Sequence, residues 1–101
     1  MPNVIVKYTI EFAPRTEGQL KLIPKIIKKL IFERIDKLRE NPRPENIEPL
    51  QGSDKGLFRI RQGDYRIVYS IQDQKLLVII VRIVHRKEVY KKKHGKSFNL
   101  G

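Results

Sequence analysis

The sequence feature that most constrains the fold is a nearly unbroken aliphatic run from Lys75 to Val84. Its longest uninterrupted stretch, Leu76 to Val81, is far shorter than the roughly 20 residues that a membrane-spanning helix needs. Valine and isoleucine favour strands, and a strand that is apolar at successive positions has both of its faces buried. The run therefore predicts a central strand in a sheet that is covered by helices.

Three further segments have the pattern of strands. Residues 57–62 alternate apolar with basic side chains, and Gly63-Asp64 is a two-residue turn into a second strand at 65–71. Residues 72–74 form another tight turn before the aliphatic run, so these three strands are predicted to be consecutive and antiparallel. The β-branched and aromatic residues at 4–12 predict a first strand, which makes four in all.

Two helices are predicted between the first strand and the other three. Residues 15–22 form a short helix, and Pro24 begins a longer one that ends near Glu40, before Asn41-Pro42. The longer helix carries an apolar stripe with helical spacing, which we expect to be core. Its members are Ile23, Ile26, Ile27, Leu30, Ile31, Ile35 and Leu38. A last short helix is expected from His85 to about Lys93. The fold class is therefore α+β, with a four-stranded, mainly antiparallel sheet packed against an N-terminal helical hairpin and a short C-terminal helix.

Positive charge dominates the composition and is concentrated in the second part of the chain. There are 22 Lys and Arg against 11 Asp and Glu, which gives a net charge of +11. Residues 58–101 hold 11 basic and 3 acidic side chains, whereas residues 1–57 hold 11 and 8. Such a concentration repels itself without a polyanionic partner, and nucleic acid is the default partner. An acidic protein is a second option that does not exclude the first. An anionic membrane surface is disfavoured because the chain has no Trp.

Several classes of site and location are excluded or disfavoured by composition. The absence of cysteine excludes disulfide bonds and thiolate metal sites and agrees with a reducing compartment. The sequence has no metal-ligand cluster, phosphate-binding glycine loop or Ser–His–Asp set, so we expect neither a metal nor a cofactor. No signal peptide pattern is present. We expect a soluble, cytoplasmic protein that does not engage a membrane.

Regularly spaced cations are the candidate functional groups. Arg59 and Arg61 are two residues apart on one strand, so both lie on one face about 7 Å apart, near the spacing of successive phosphates. Arg66 follows just across the turn, and Arg82 and Arg86 lie near the end of the aliphatic strand. The alternative is that these arginines form an ordinary solvated sheet face. Their number, and the scarcity of Asp and Glu in the same segments, favours a binding or catalytic surface.

Two stretches resemble the RelE/ParE toxin superfamily. Residues 56–69 (GLFRIRQGDYRIVY) are similar to its signature hairpin, and residues 84–90 (VHRKEVY) are similar to its C-terminal motif. The Pro49–Gly52 lead-in and the N-terminal elements match too, so the resemblance covers roughly residues 4–93. It implies a single RelE-like toxin domain over residues 2–95, followed by a basic, flexible tail at 96–101.

The resemblance also implies roles for individual residues. Matching positions in the nuclease branch of the superfamily are catalytic, and here they are Arg61, Arg66, Arg86 and Tyr90. Further cations are implied to bind RNA, namely Arg59, Arg82, Lys87, Lys91 and Lys92. The implied chemistry is attack of a 2′-OH on the adjacent phosphodiester. Where relatives offer Lys, this chain has Arg61, which cannot readily lose a proton, so the general base stays open. His85 is a possible supporting group, although a structural role at the end of the strand is the stronger interpretation.

Three functions are compatible with this pattern. The first is a type II toxin that cleaves mRNA in the ribosomal A site and so inhibits translation, with the ribosome and a cognate antitoxin protein as partners. The second is a ParE-like inhibitor of DNA gyrase, which is a protein-binding toxin without nuclease activity. The third is a non-catalytic RNA-binding protein. Suitable residues at all five implied positions (Arg59, Arg61, Arg66, Arg86 and Tyr90) favour the first.

Overall fold

The structure, a computed structural model, describes residues 6–88. Seven helices and strands follow each other in this part of the chain: β1 Thr9–Phe12, α1 Arg15–Lys21, α2 Lys25–Asp36, β2 Glu48–Pro49, β3 Phe58–Gln62, β4 Tyr65–Gln72 and β5 Leu77–His85. Short 3-10 turns lie at Lys37–Arg39, Gly52–Asp54 and Asp73–Lys75. Residues 86–88 are helical, and the remainder of the predicted C-terminal helix lies outside the described residues.

The strands form one mixed sheet in the order β1-β5-β4-β3-β2. The α+β class and the mainly antiparallel pairing are confirmed, because β2, β3, β4 and β5 pair antiparallel in turn. β1 pairs with β5 in parallel at the other edge. The predicted count of four strands omitted β2, since two residues are too few to show an alternating pattern. β5 is an interior strand, as its aliphatic composition predicted.

Both helices pack on one face of the sheet. Ile31, Ile35 and Leu38 from the α2 region are at most 2% exposed and join strand residues such as Ile67 and Ile80, which are fully buried. Burial of each such side chain contributes about 1.5–3 kcal/mol relative to exposure, so this cluster supplies most of the apolar driving force. The helical hairpin thus covers one face and leaves the other open.

The prediction that the whole apolar stripe on α2 belongs to the core is wrong in part. Ile26 is 78% exposed and Leu30 is 44% exposed, whereas Ile31 is fully buried. Ile26 precedes Ile31 by five residues, which is about 140° around a helix. Because the sheet covers only one side of α2, an apolar stripe this wide extends past the helix–sheet interface, and its outer residues are exposed to solvent.

We call the surface of the sheet opposite the helices the open face. The helical hairpin packs on the other face, as predicted, since α1 and α2 lie on the same side of the sheet. Side chains on the open face are nevertheless partly sheltered, and Val68 is only 2% exposed there. It lies between Arg59 and Arg82 on the adjacent strands.

Asp73 fastens three segments together at the end of the sheet where β4 meets β5. Its carboxylate accepts a hydrogen bond from the Tyr8 hydroxyl at 2.7 Å and two from the Arg43 guanidinium at 3.1 and 2.8 Å. The hydrogen bonds from Arg43 and then Tyr8 lower the pKa of Asp73 to about 2. Arg43 also lies over the Phe58 ring, with 5.9 Å between the guanidinium carbon and the ring centroid.

In the described residues, no helix has both the length and the apolarity that a membrane span requires.

Candidate functional site

Four of the arginines singled out by the sequence lie on the open face. Strand register puts Arg59, Val68 and Arg82 side by side in one row across β3, β4 and β5. The next row holds Arg61, Arg66 and Val84. Their neighbours along each strand, such as Ile60 and Ile67, point into the core on the other side. The predicted shared face of Arg59 and Arg61 therefore also includes Arg66.

A β-bulge puts Arg82 on this face. Val68 pairs with Arg82 but Tyr69 pairs with Ile80, so Val81 is an extra residue in β5. Without the bulge, Arg82 would share its face with Val78 and Ile80 and would point into the core. The uniform aliphatic composition of β5 gives no sequence signal for the bulge.

Arg66 is at the centre of the cationic group. Burial, followed by the like charges of Arg61, Arg59 and Arg86, lowers the pKa of its guanidinium below the usual value. Its Nη1 atom donates to the backbone oxygens of Gly63 at 3.1 Å and Tyr65 at 3.2 Å. Within residues 6–88, Arg66 has no carboxylate at ion-pair distance. It is therefore a crowded, partly desolvated cation without an anionic partner in this part of the chain.

Acidic side chains from outside the basic segments reach the other arginines. Glu48 on β2 binds Arg59 at 3.0 Å and lies 3.7 Å from Arg61, so both of its oxygens face the group. Asp54 binds Arg82 at 2.5 Å. Glu48 was not among the site residues predicted from the sequence, because it lies outside the strands that carry the arginines. The only available signal was its position in the lead-in to the hairpin.

At the end of β5, His85 and Arg86 both approach the Asp64 carboxylate, and the His85 Nε2 atom lies 4.0 Å from it. His85 pairs with Tyr65 in the sheet, and the two rings meet edge to face at 5.1 Å. Its Nδ1 atom accepts a hydrogen bond from the Lys87 backbone N–H at 3.1 Å, which leaves Nε2 to carry the proton of the neutral ring. The backbone N–H of Arg86 donates to the Asp64 carbonyl at 2.7 Å, and its Nε atom lies 3.5 Å from the Asp64 carboxylate.

The sequence also assigned site residues near and beyond the end of the described chain. Lys87 is exposed at the start of the helical turn. Tyr90, Lys91 and Lys92 lie outside the described residues. The geometry that bears on chemistry therefore comes from the open face and the turn at Gly63-Asp64.

The arrangement offers cations for an anion and a carboxylate that can accept a proton. Guanidinium groups match phosphate oxygens in geometry and remain charged. A carboxylate beside them can accept a proton as a general base. In the part of the chain that the structure describes, no group of three or more His, Asp or Glu side chains is placed to hold a metal ion.

Comparisons with known proteins give a consistent picture. Residues 10–90 match the family model described as the ParE toxin of type II toxin–antitoxin systems. The chain is 31% identical to toxin RelG of Mycobacterium tuberculosis over 84% of this chain and 98% of that protein. It is 33% identical to putative toxin RelE1 of Methanocaldococcus jannaschii over 85% of this chain and 98% of that protein. The fold is similar to a chain in the toxin–antitoxin complex RelBE2 of M. tuberculosis, with a TM-score of 0.73 and 29% identity over 83% of this chain and 97% of that one.

Proposed function

Because this chain belongs to the ParE toxin family of type II toxin–antitoxin systems, we propose that it is the toxin of such a pair and acts as a ribosome-dependent mRNA endonuclease in the cytoplasm. Relatives named RelG and RelE1 favour the nuclease branch over gyrase inhibition. The single observation that carries the proposal is the environment of Arg66. Burial and the like charges of Arg61, Arg59 and Arg86 lower the pKa of its guanidinium, which has no carboxylate partner in the described residues. A scissile phosphate is the partner that such a position fits.

In the proposed reaction, a 2′-OH of the mRNA attacks the adjacent phosphorus and the bond to the 5′ oxygen breaks. The products are a 2′,3′-cyclic phosphate and a 5′-OH. Charge builds up on the non-bridging oxygens of the phosphorane, where Arg66 and Arg86 donate hydrogen bonds that are stronger in the transition state than in the ground state. Arg61 contacts the same phosphate or the next one.

Two proton transfers complete this reaction. We assign the general base to Glu48, whose carboxylate lies on the open face at 3.0 Å from Arg59 and 3.7 Å from Arg61. Glu48 takes the proton of the 2′-OH, which an arginine cannot do at neutral pH. The leaving 5′ oxygen takes a proton from a group at the end of β5, where His85 and Tyr90 are the titratable candidates in sequence.

RNA contacts outside the reaction centre come from cations at its margin. Arg59 lies in the neighbouring row, and Lys87, Lys91 and Lys92 follow Arg86 in sequence. Each phosphate contact by such a side chain releases counterions, so it contributes affinity that decreases as salt increases.

We place the antitoxin in a separate groove between β1 and α2. The groove has a volume of about 560 Å³ and is lined by apolar side chains that include Ile10, Phe12 and Phe32. Its charged lining residues are four basic ones, Lys25, Lys28, Lys29 and Arg39, and two acidic ones, Glu33 and Asp36, so the lining is positive on balance. Phe12 and Phe32 are about 40% exposed although their rings contact each other at 5.9 Å. The occupant that fits is an amphipathic, acidic segment. A second copy of this basic chain would bring like charges together at the groove.

The proposal is tested by adding the purified chain to ribosome–mRNA complexes and mapping new 5′ ends by primer extension, with a parallel gyrase supercoiling assay. We expect cleavage that needs the ribosome, persists in EDTA and leaves 5′-OH ends, while supercoiling is unaffected. Inhibition of supercoiling with intact mRNA would instead assign the chain to the gyrase-inhibiting branch. Binding of RNA without cleavage would leave the non-catalytic alternative.

A further inference from the structure

The segment from Glu48 to Leu57 crosses the open face and is attached to it at two points. At one end, β2 pairs with β3 through two residues, and Glu48 binds Arg59 at 3.0 Å. At the other end, Asp54 binds Arg82 at 2.5 Å. Arg59 and Arg82 are the two ends of the cross-strand row that has Val68 at its centre. One segment therefore holds both ends of this row.

The Asp54–Arg82 pair is the more sheltered of the two attachments. The Arg82 side chain is 16% exposed and that of Asp54 is 35% exposed, and Val68 in the same row is 2% exposed. The loop is otherwise closed on itself, since the Leu50 N–H donates to Leu57 at 2.9 Å and the Leu57 N–H donates to Asp54 at 3.0 Å. Among the described residues, the bond to Arg82 is the only side-chain hydrogen bond between this loop and β5.

We infer that Asp54 is a positioning residue, which holds the segment on the open face through Arg82 and so keeps the Glu48 carboxylate beside Arg59 and Arg61. This inference rests on the proposed function, because it gives Asp54 a part in that cleavage. It also gives Arg82 a different role from the RNA contact implied by the sequence. The Arg82 guanidinium already has a carboxylate partner, and its low exposure shelters it from an approaching RNA strand.

Loss of the Asp54 carboxylate has two opposite consequences. The segment loses its contact with β5, so Glu48 spends less time in the position that accepts a proton, and the maximal rate falls. The open face also gains one net positive charge, so RNA binds at least as tightly as before. A substitution that merely destabilised the fold would reduce the amount of active protein and would not combine slower reaction with undiminished binding.

The test compares Asp54→Asn with Asp73→Asn, which makes the same change in net charge and also removes an ion pair, but at the opposite end of β4 and β5. Single-turnover cleavage of ribosome-bound mRNA, measured over a range of toxin concentrations, gives the maximal rate and the half-saturating concentration. For Asp54→Asn we expect the maximal rate to fall at least about 10-fold, with an unchanged or lower half-saturating concentration. Asp54→Glu should recover most of the rate, and Asp73→Asn should match the wild type.

Amide hydrogen exchange tests the same inference without any activity. The backbone N–H groups of Leu50 and Leu57 should exchange faster in Asp54→Asn but not in Asp73→Asn. If Asp54→Asn leaves too little folded protein, the double variant Asp54→Ala/Arg82→Ala removes the unpaired charge, and the same changes in rate and exchange are expected. A wild-type maximal rate or unchanged exchange in the Asp54 variants would overturn the inference. A wild-type chain that leaves mRNA intact would contradict the proposed function, and the exchange data would still decide whether Asp54 holds the segment.

Discussion

The arginines of the open face and its margin are distinguished by their partners rather than by their spacing. Arg59 and Arg82 each have a carboxylate at 3.0 Å or closer. Arg61 lies 3.7 Å from Glu48, and Arg86 lies 3.5 Å from Asp64, so their contacts are looser. Arg66 donates only to backbone oxygens in the described residues. In the proposed mechanism, Arg82 organises the surface and Arg59 both binds Glu48 and contacts RNA at the margin, whereas Arg61, Arg66 and Arg86 bind the phosphate.

At the residue scale, Glu48→Gln tests the general base. The amide keeps the size and hydrogen-bonding reach of the side chain but cannot accept the 2′-OH proton. We expect the maximal cleavage rate to fall roughly 100-fold or more, since general base catalysis contributes about that much. Glu45→Gln, at an exposed position three residues earlier, is the matched control. Equal rates for the two variants would remove Glu48 from the mechanism.

Asp73 gives a second prediction at this scale, on stability and pH. Its folded-state pKa of about 2 lies below the ordinary value of 3.8. The carboxylate therefore stabilises the fold fully above about pH 4, and this contribution is lost as the pH falls through about 2. The free energy of unfolding of Asp73→Asn should be lower than that of the wild type at pH 7, and the two should converge near pH 2. A difference that stays constant over this range would contradict the assignment.

At the scale of elements, the strands that form the hairpin could be predicted because alternation and a Gly-containing turn determine them locally. Gly63 has a φ of +60°, which the two-residue turn requires. Other features depend on tertiary contacts that leave no periodic signal. β2 is only two residues long, and Val81 bulges within a strand where every neighbour is aliphatic. The exposure of Ile26 depends on how far the sheet reaches around α2, which sequence spacing alone does not give.

At the scale of elements, we also predict that the antitoxin binds the groove between β1 and α2. Phe32→Ala should weaken binding of the cognate antitoxin by roughly 10-fold or more, because the ring lines the groove. Ile26→Ala is the matched control, since Ile26 is on α2 and 78% exposed but does not line the groove. Calorimetric titration measures both dissociation constants. If Ile26→Ala weakens binding and Phe32→Ala does not, the antitoxin binds the outer side of α2 instead.

At the scale of the whole molecule, the two faces of the sheet have different roles. The helices cover one face of the sheet and provide its core, while the open face collects arginines from β3, β4 and β5. A net charge of +11 draws the chain toward any polyanion, so charge by itself does not distinguish cleavage from binding. The distinction depends on Arg66, where like charges and partial burial are combined.

The most direct test of catalysis on the open face is the maximal single-turnover rate of Arg66→Gln on ribosome-bound mRNA. Arg15→Gln is the matched control, since it makes the same change in net charge at an exposed position on α1. Saturation with toxin hides a binding defect but not a chemical one. We expect Arg66→Gln to cleave about 100- to 1,000-fold more slowly than the wild type, because it loses one preorganised donor to the phosphorane. Its thermal stability should be undiminished, because a like charge leaves the cluster, and Arg15→Gln should cleave at the wild-type rate. Equal maximal rates for Arg66→Gln and Arg15→Gln would contradict the catalytic role of the open face.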